Sequence, residues 1–527
     1  MTKIPCTVLM AQINPTVGAI KANAEKIMHI IAENQEKHDL IIFPELALSG
    51  YPPEDLLFRK EFQQQLAEYL NKITTSVGNC HVILGHPSLE NDRVFNSASV
   101  LYQGHSLAKY HKQKLPNYGV FDECRYFIPG TADPCIIEIK QQKIGLCICE
   151  DLWQEGPMQD LIKHGATTII VINASPFASE KYQLREDLVQ PYSQQGVNII
   201  YVNQTGGQDE LVFDGQSFAM DASNTVRARA PAFEESLISL SLQGMTITGP
   251  ITPLLSKEAL IYKALVCGTH DYVKKNNFPG VLVGLSGGID SALTLTIAVD
   301  ALGAEHVHAV MMPSRYSAAI SEEDALEQVQ KLKVAYSILS IEPAFQAFLA
   351  TLQPEFAGLA TDSTEENIQA RSRAVLLMAL SNKKGSLVLT TSNKSETAVG
   401  YTTLYGDMAG GFAVLKDVLK TQVYALAKYR NAIAPVIPER VIHRAPSAEL
   451  KENQTDQDTL PDYKVLDAII DGYMLDTLSP EELKNELVQK TIRLIKRNEY
   501  KRRQAAPGIK ISLISFDKDW RYPITNG

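Results

Sequence analysis

Apolar residues fall in short runs separated by longer mixed stretches through the first half of the chain. The runs lie at 7–11, 40–43, 81–84, 99–102, 143–148, 168–172 and 197–202. Each has the length of a strand, and the stretches between several of them carry helical spacing, which predicts a strand-rich α/β unit. Between 211 and 242 the pattern predicts paired strands. The segment 244–253 then supplies two Gly, two Pro and three Thr, a composition that favours turns over core. A new rhythm begins with an amphipathic helix at 257–275, followed by strand-like runs at 280–285, 306–312 and 387–391 separated by helical segments. That is the βαβ rhythm of a parallel sheet covered on both faces. The expected organisation is a domain at 1–245, a linker at 246–256 and a second domain at 257–527. The polar segment 449–459 is expected to be a mobile loop, since it has little to bury.

Composition narrows the class. A chain of 527 residues that is 45% hydrophobic is long enough for two or three cores. A formal charge of −10 argues against non-specific nucleic-acid binding. The basic run Lys501-Arg502-Arg503 is a local exception, whose plain reading is a solvated helix end. Seven scattered cysteines without metal-type spacing point to reduced thiols in a cytoplasm. No opening signal segment and no run of about 18 apolar residues is read, so neither secretion nor a membrane span is expected.

The segment Gly284-Leu285-Ser286-Gly287-Gly288-Ile289-Asp290-Ser291 stands between a strand-like run and a helix-like run. Glycines there let backbone N–H groups at a helix start approach phosphate oxygens, and Ser286 and Ser291 add hydroxyls. The segment lacks the Gly-Lys-Ser/Thr ending of the common P-loop. It resembles instead the SGGxDS loop of ATP pyrophosphatases, which transfer AMP to a substrate and release pyrophosphate.

In the first half, Glu45, Lys112 and Cys149 stand at the ends of predicted strands. Thiol attack on an amide needs a carboxylate to take the thiol proton, a cation for the oxyanion, and a sulfur within reach. Cys147 shares strand parity with Cys149 but lies deeper in its run, as a core residue would. Lys114 is the rival of Lys112.

The blocks 43–53, 110–123 and 149–153, which begin Phe-Pro-Glu, Tyr-His-Lys and Cys-Glu-Asp, resemble the catalytic blocks of the nitrilase (carbon–nitrogen hydrolase) superfamily, in its glutamine amidohydrolase branch. The resemblance implies an α-β-β-α sandwich with Glu45 as base, Lys112 on the tetrahedral intermediate, Cys149 as nucleophile and Glu123 as the additional acid. It places the N–H of Glu150 in the oxyanion hole and Tyr118, Ser175 and Lys181 around glutamine. Fused to an AMP-transferring domain, this resembles the glutamine-dependent NAD(+) synthetases over essentially the whole chain. Blocks 366–371, 390–396 and 405–411 agree. That family implies ATP contacts from Thr391 and Lys420 beside the 284–291 loop, Mg²⁺ held by Asp290 and Glu396, and deamido-NAD contacts from Asn367, Arg371, Glu396 and Lys510. The role of Glu396, metal or dinucleotide, stays open. Short ammonia-dependent relatives carry Lys and Asp where this chain has Leu404 and Gly411, so their substrate contacts do not transfer there. The resemblance further implies glutamine and deamido-NAD as substrates, a Rossmann-like second domain, a protected ammonia tunnel and a homo-oligomer. A different carboxylate acceptor, or a regulatory protein that only binds nucleotide, are the other readings.

Overall fold

The structure, a computed structural model, describes residues 5–179, 181–447, 449–451 and 454–525. The chain divides into two compact units, Met1–Leu255 and Ser256–Gly527. Among the described residues no helix is long and apolar enough to cross a membrane.

The first unit stacks two sheets between two pairs of helices. One sheet has the order β15-β14-β1-β2-β3-β4-β5, built from β1 (Cys6–Gln12), β2 (Leu40–Ile42), β3 (His81–Glu90), β4 (Arg93–Tyr102), β5 (His105–His111), β14 (Ser236–Gln243) and β15 (Thr246–Thr248). The other runs β13-β12-β9-β8-β7-β6, from β6 (Ile136–Ile139), β7 (Gln142–Ile148), β8 (Thr168–Asn173), β9 (Asn198–Asn203), β12 (Phe218–Asp221) and β13 (Thr225–Arg229). A hairpin of β10 (Thr205–Gln208) and β11 (Leu211–Asp214) stands beside them. Successive side chains on a strand face opposite ways, and β8 shows the result. Ile170 and Ile172 join Met10, Ile42 and Ile83 between the sheets. Ile169 and Val171 pack outward in a cluster with Met158 and Val189, which belong to α3 (Pro157–Lys163) and α4 (Lys181–Ser193). Leu9, Ile41 and Val82 face α1 (Ile20–Asn34) and α2 (Lys60–Ser76). Burying both faces of the central parallel strands accounts for their continuous apolar runs.

The second unit opens with α5 (Lys257–Lys275), capped by the Ser256 hydroxyl, which accepts from Ala259 N. Its fully parallel sheet has the order β18-β17-β16-β19-β20, from β16 (Val281–Gly284), β17 (Val307–Met311), β18 (Ala335–Ile338), β19 (Leu387–Thr390) and β20 (Phe412–Ala413). The crossovers run through α6 (Ile289–Leu302), α7 (Ala319–Leu332), α8 (Glu342–Leu352) and α9 (Ser363–Lys384). The order steps away from β16 on one side and resumes with β19 on the other, so right-handed crossovers place helices on both faces. It also opens a crevice at the carboxyl ends of β16 and β19. The helices α10 (Lys394–Val399), α11 (Lys420–Ile433), α12 (Glu439–His443), α13 (Tyr463–Met474), α14 (Glu486–Arg497) and α15 (Glu499–Arg502) complete the unit.

The 449–459 segment is anchored rather than loose where it is described. Glu449 accepts from Ala318 N and Ser321 Oγ, and the buried Asp456 accepts from Tyr463 OH at 2.7 Å. Residues 452 and 453 of that segment lie outside the described residues.

Gly85 of β3 has no room for a side chain. A Cβ there would stand 2.3 Å from Pro44 O and 2.7 Å from Glu45 Cα. Gly85→Ala is therefore expected to cost about 1–3 kcal/mol through overpacking. Circular dichroism of thermal unfolding would show it as an earlier transition, and an unchanged transition would refute the close packing.

Candidate functional site

Four predicted residues of the first unit converge. Glu45 follows β2, and its backbone enters the sheet through Phe43 N, which donates to Ile83 O at 2.8 Å. Lys112 follows β5, with its N donating to Asn96 O at 2.8 Å. Its Nζ lies 2.7 Å from Glu45 Oε1 and 2.8 Å from Glu123 Oε1, all three residues being buried. Burial disfavours the ammonium, but the Glu123 and Glu45 carboxylates more than offset that and hold it well above the lysine range. Burial pushes the Glu123 carboxyl up to about 7 against the pull of Lys112.

Three further groups to which the sequence reading assigns no role complete the cluster, one of them, Tyr51, inside block 43–53. Asn96 Nδ2 donates to Glu45 Oε1 at 2.7 Å, Ala174 N donates to Glu45 Oε2 at 2.8 Å, and Tyr51 OH donates to Glu123 Oε1 at 2.9 Å. Glu45 is thereby fixed in one orientation.

Cys149 begins where β7 stops. It has φ 44°, in the left-handed region, and opens a 3-10 turn, Cys149–Leu152. That backbone turn breaks strand parity. Cys147 packs outward with Met158 and Leu161, whereas Cys149 joins the cluster between the sheets. Burial and the Glu45 carboxylate push the Cys149 thiol well above its usual range, with Lys112 opposing. The resting group is a thiol beside a carboxylate and an ammonium.

Asp151 ties this turn to the lysine segment. Its Oδ1 accepts from Gln113 N at 3.0 Å and Lys114 N at 2.8 Å, and its Oδ2 accepts from Tyr110 OH at 2.7 Å and Ile148 N at 3.1 Å. Lys114 thus contributes its backbone to the turn, and Lys112 its ammonium to the acids. Tyr118 OH donates to Glu150 Oε2 at 3.0 Å, and the Tyr118 and Lys181 side chains both meet the Phe121 ring. Ser175 adjoins Ala174, and its Oγ accepts from Arg185 Nη2 at 3.2 Å. Arg185 Nη1 in turn holds both oxygens of Asp214 at 2.8 Å.

The second unit holds a cavity of about 1010 Å³ at the crevice between β16 and β19. Gly284, Leu285, Ser286, Gly288, Ile289, Asp290 and Ser291 line it, with Thr391, Asn367, Glu396 and Lys420. Gly287 completes the loop with φ 80°, and a Cβ on it would stand 2.2 Å from Ser321 O. Ser291 Oγ lies 3.1 Å from Ser286 Oγ and donates to Gly288 O at 3.0 Å, which closes the loop onto the N-terminus of α6.

Lys420 Nζ lies 2.5 Å from Asp290 Oδ2 and 3.0 Å from Glu396 Oε1. Asn393 Nδ2 donates to Asp290 Oδ1 at 2.8 Å while Asn393 Oδ1 accepts from Glu396 N, capping α10. Burial pushes the Glu396 carboxyl up to about 7 against the pull of Lys420. Asp467 of α13 accepts from Thr421 N at 2.9 Å and from Ser395 Oγ, setting the start of α11 where Lys420 stands. Two carboxylates are hard oxygen donors of the kind Mg²⁺ shares with phosphates, so the pair fits that ion.

Two expected contacts fall elsewhere. Arg371 is exposed, and its Nε donates to Leu404 O at 3.2 Å, off the cavity lining. Lys510 is buried and bound to Asp519 Oδ2 at 2.5 Å and to the carbonyls of Ser512 and Leu513 at 2.8 Å. In the basic run, Arg502 is buried against Glu499 and is no solvated helix end, while Lys501 lines the cavity and donates to Gly400 O and Thr402 O.

The carbon–nitrogen hydrolase family matches residues 7–248, and the NAD synthase family matches residues 261–505. The glutamine-dependent NAD(+) synthetase of Acinetobacter baylyi is 47% identical over 99% of this chain and 98% of its own length. That of Aquifex aeolicus is 44% identical over 98% of each. The chain belongs to the glutamine-dependent NAD(+) synthetase family. Among solved structures, the Acinetobacter baumannii glutamine-dependent NAD(+) synthetase, in complex with ADP, aligns with a TM-score of 0.81 at 44% identity, over 99% of this chain and 98% of that one.

In this synthetase-family chain the Asp151 clasp is open to a direct test. Asp151→Ala removes an acceptor from four donors, each worth about 1–3 kcal/mol when left unpaired in the interior. Urea unfolding followed on the first unit is expected to show a loss of several kcal/mol, on the order of that range. A loss below about 0.5 kcal/mol would show that the clasp is not what fixes the turn.

Proposed function

We propose that the chain amidates deamido-NAD to NAD, using ATP to activate the acceptor carboxylate and glutamine as the source of ammonia. The observation that carries this reading is the pairing in one chain of the Glu45–Lys112–Glu123 cluster beside Cys149 with the phosphate loop at the β16/β19 crevice.

In the first reaction Glu45 takes the Cys149 proton as the sulfur attacks the side-chain amide carbon of glutamine. Lys112 and the N–H of Glu150 receive the oxyanion, and Tyr118, Ser175 and Lys181 hold the amino acid. The C–N bond breaks, and ammonia leaves with the proton returned by Glu45. Water, deprotonated by Glu45, then opens the thioester and releases glutamate. Glu123 and Tyr51 keep the Lys112 ammonium in place through both steps.

In the second reaction a carboxylate oxygen of deamido-NAD attacks the α-phosphorus of ATP and pyrophosphate leaves. Ammonia attacks the resulting acyl adenylate, and AMP departs with the carboxylate oxygen. The 284–291 loop, Thr391 and Lys420 position the triphosphate. Asp290 and Glu396 would hold Mg²⁺, which when bound supplies positive charge to the phosphates. Asn367 and Glu396, which line the cavity, are the dinucleotide contacts favoured here over Arg371 and Lys510.

Cys149→Ala is expected to lower glutamine-driven NAD formation by at least about a hundredfold while ammonium-driven formation stays within about twofold. Lys420→Met should depress both routes by about a hundredfold or more, with glutamate release retained. Chromatographic assay of NAD and glutamate checks all four values. Wild-type protein that forms no NAD from either nitrogen source would remove the acceptor assignment.

A further inference from the structure

The cavity of the second unit is rich in acids although both molecules assigned to it are polyanions. Asp290, Glu396, Asp407 and Glu449 line it. Of its cations, Lys420 is committed to Asp290 and Glu396, Lys501 donates to two backbone carbonyls, and Lys451 stands 4.0 Å from Glu366 Oε1. Arg373 stands apart. Its Nε donates to Met312 O at 3.0 Å, and among the described residues its terminal amino groups carry no hydrogen bond and no ion pair. The residue is half-buried in the cavity wall. Burial pushes its guanidinium down to about 10, with only the Glu449 charge opposing. A partly desolvated guanidinium with two donors to spare has the planar fork that matches phosphate oxygens.

Helix geometry separates it from its neighbour. Glu366, Ala370, Arg373 and Leu377 recur every three or four residues and line the cavity together. Arg371, two residues away, is turned about 200° around α9. The face of α9 that carries Arg373 also approaches the phosphate loop. Leu377 Cδ1 and Met312 Cε would stand 3.3 and 3.4 Å from a Cβ on Gly284. Glu449 is bound to Ser321, whose carbonyl lies against Gly287.

Resting on the ATP reading above, we propose that Arg373 binds a phosphate of the ATP held over the 284–291 loop. It is a binding residue that the motifs pass over in favour of Arg371.

The test uses full-length chain with ammonium as nitrogen source, comparing wild type, Arg373→Lys and Arg373→Met. Arg373→Met is expected to raise the KM for ATP at least about tenfold, to leave the KM for deamido-NAD within about twofold, and to leave glutamate release unchanged. Arg373→Lys should fall between wild type and Arg373→Met. An unchanged KM for ATP overturns the proposal, as does a rise confined to deamido-NAD, which would assign the phosphate to the dinucleotide. If Arg373→Met fails to fold, Arg373→Lys decides on the same two constants. Calorimetric titration with a non-hydrolysable ATP analogue reads the Arg373 effect even if wild type forms no NAD, so failure of this proposal and failure of the overall reading give different results.

Discussion

A single buried ammonium between two carboxylates is the arrangement on which both sites depend. Among the described residues it occurs once in each unit, as Lys112 between Glu45 and Glu123 and as Lys420 between Asp290 and Glu396. Withdrawing three charges from water costs several kcal/mol per ion, and the attraction repays it only when the remaining lone pairs and protons are satisfied. Asn96 and Ala174 N do this for Glu45 and Tyr51 for Glu123 Oε1 in the first unit, while Glu123 Oε2 is buried without a partner among the described residues; Asn393 does it for Asp290 in the second. Each trio is left one negative charge in excess. Burial expresses that excess as a carboxyl, Glu123 or Glu396, raised to about 7.

The scaffolds deliver these trios in related ways. In the first unit Glu45, Lys112 and Cys149 stand just past the carboxyl ends of β2, β5 and β7, and Ser175 just past β8. In the second the loop follows β16, and Thr391 follows β19. Strand ends are rigid supports whose continuing loops are free to vary, so chemistry collects there. The topological reversal at β16 explains why the second cavity opens between those two strands and not elsewhere along the sheet.

What the sequence makes legible follows from burial. Strands buried on both faces, such as β2, β8 and β9, are continuous apolar runs, and helix 257–275 shows its period plainly. Among the strands that no apolar run announces are β5, β6 and β18, each an edge of its sheet, where polar residues face water and the run is broken. Motif spacing picks out Glu45, Lys112 and Cys149, because each carries reactive chemistry in a recognisable block. It is silent on Ala174, which acts through its backbone, and on Asn96, which belongs to a strand far from the motifs. Parity misreads the two cysteines because the left-handed turn at Cys149 resets the direction of the chain. The family resemblance of block 366–371 singles out Arg371, while the cavity lining of α9 includes Arg373 and not Arg371.

The Asp151 clasp has a consequence for how the first site fails. One carboxylate holds the end of β7 and the backbone leaving β5, so Cys149 and Lys112 share one anchor. Local opening that frees the turn also releases donors on the lysine segment, so order at Cys149 and order at Lys112 are coupled.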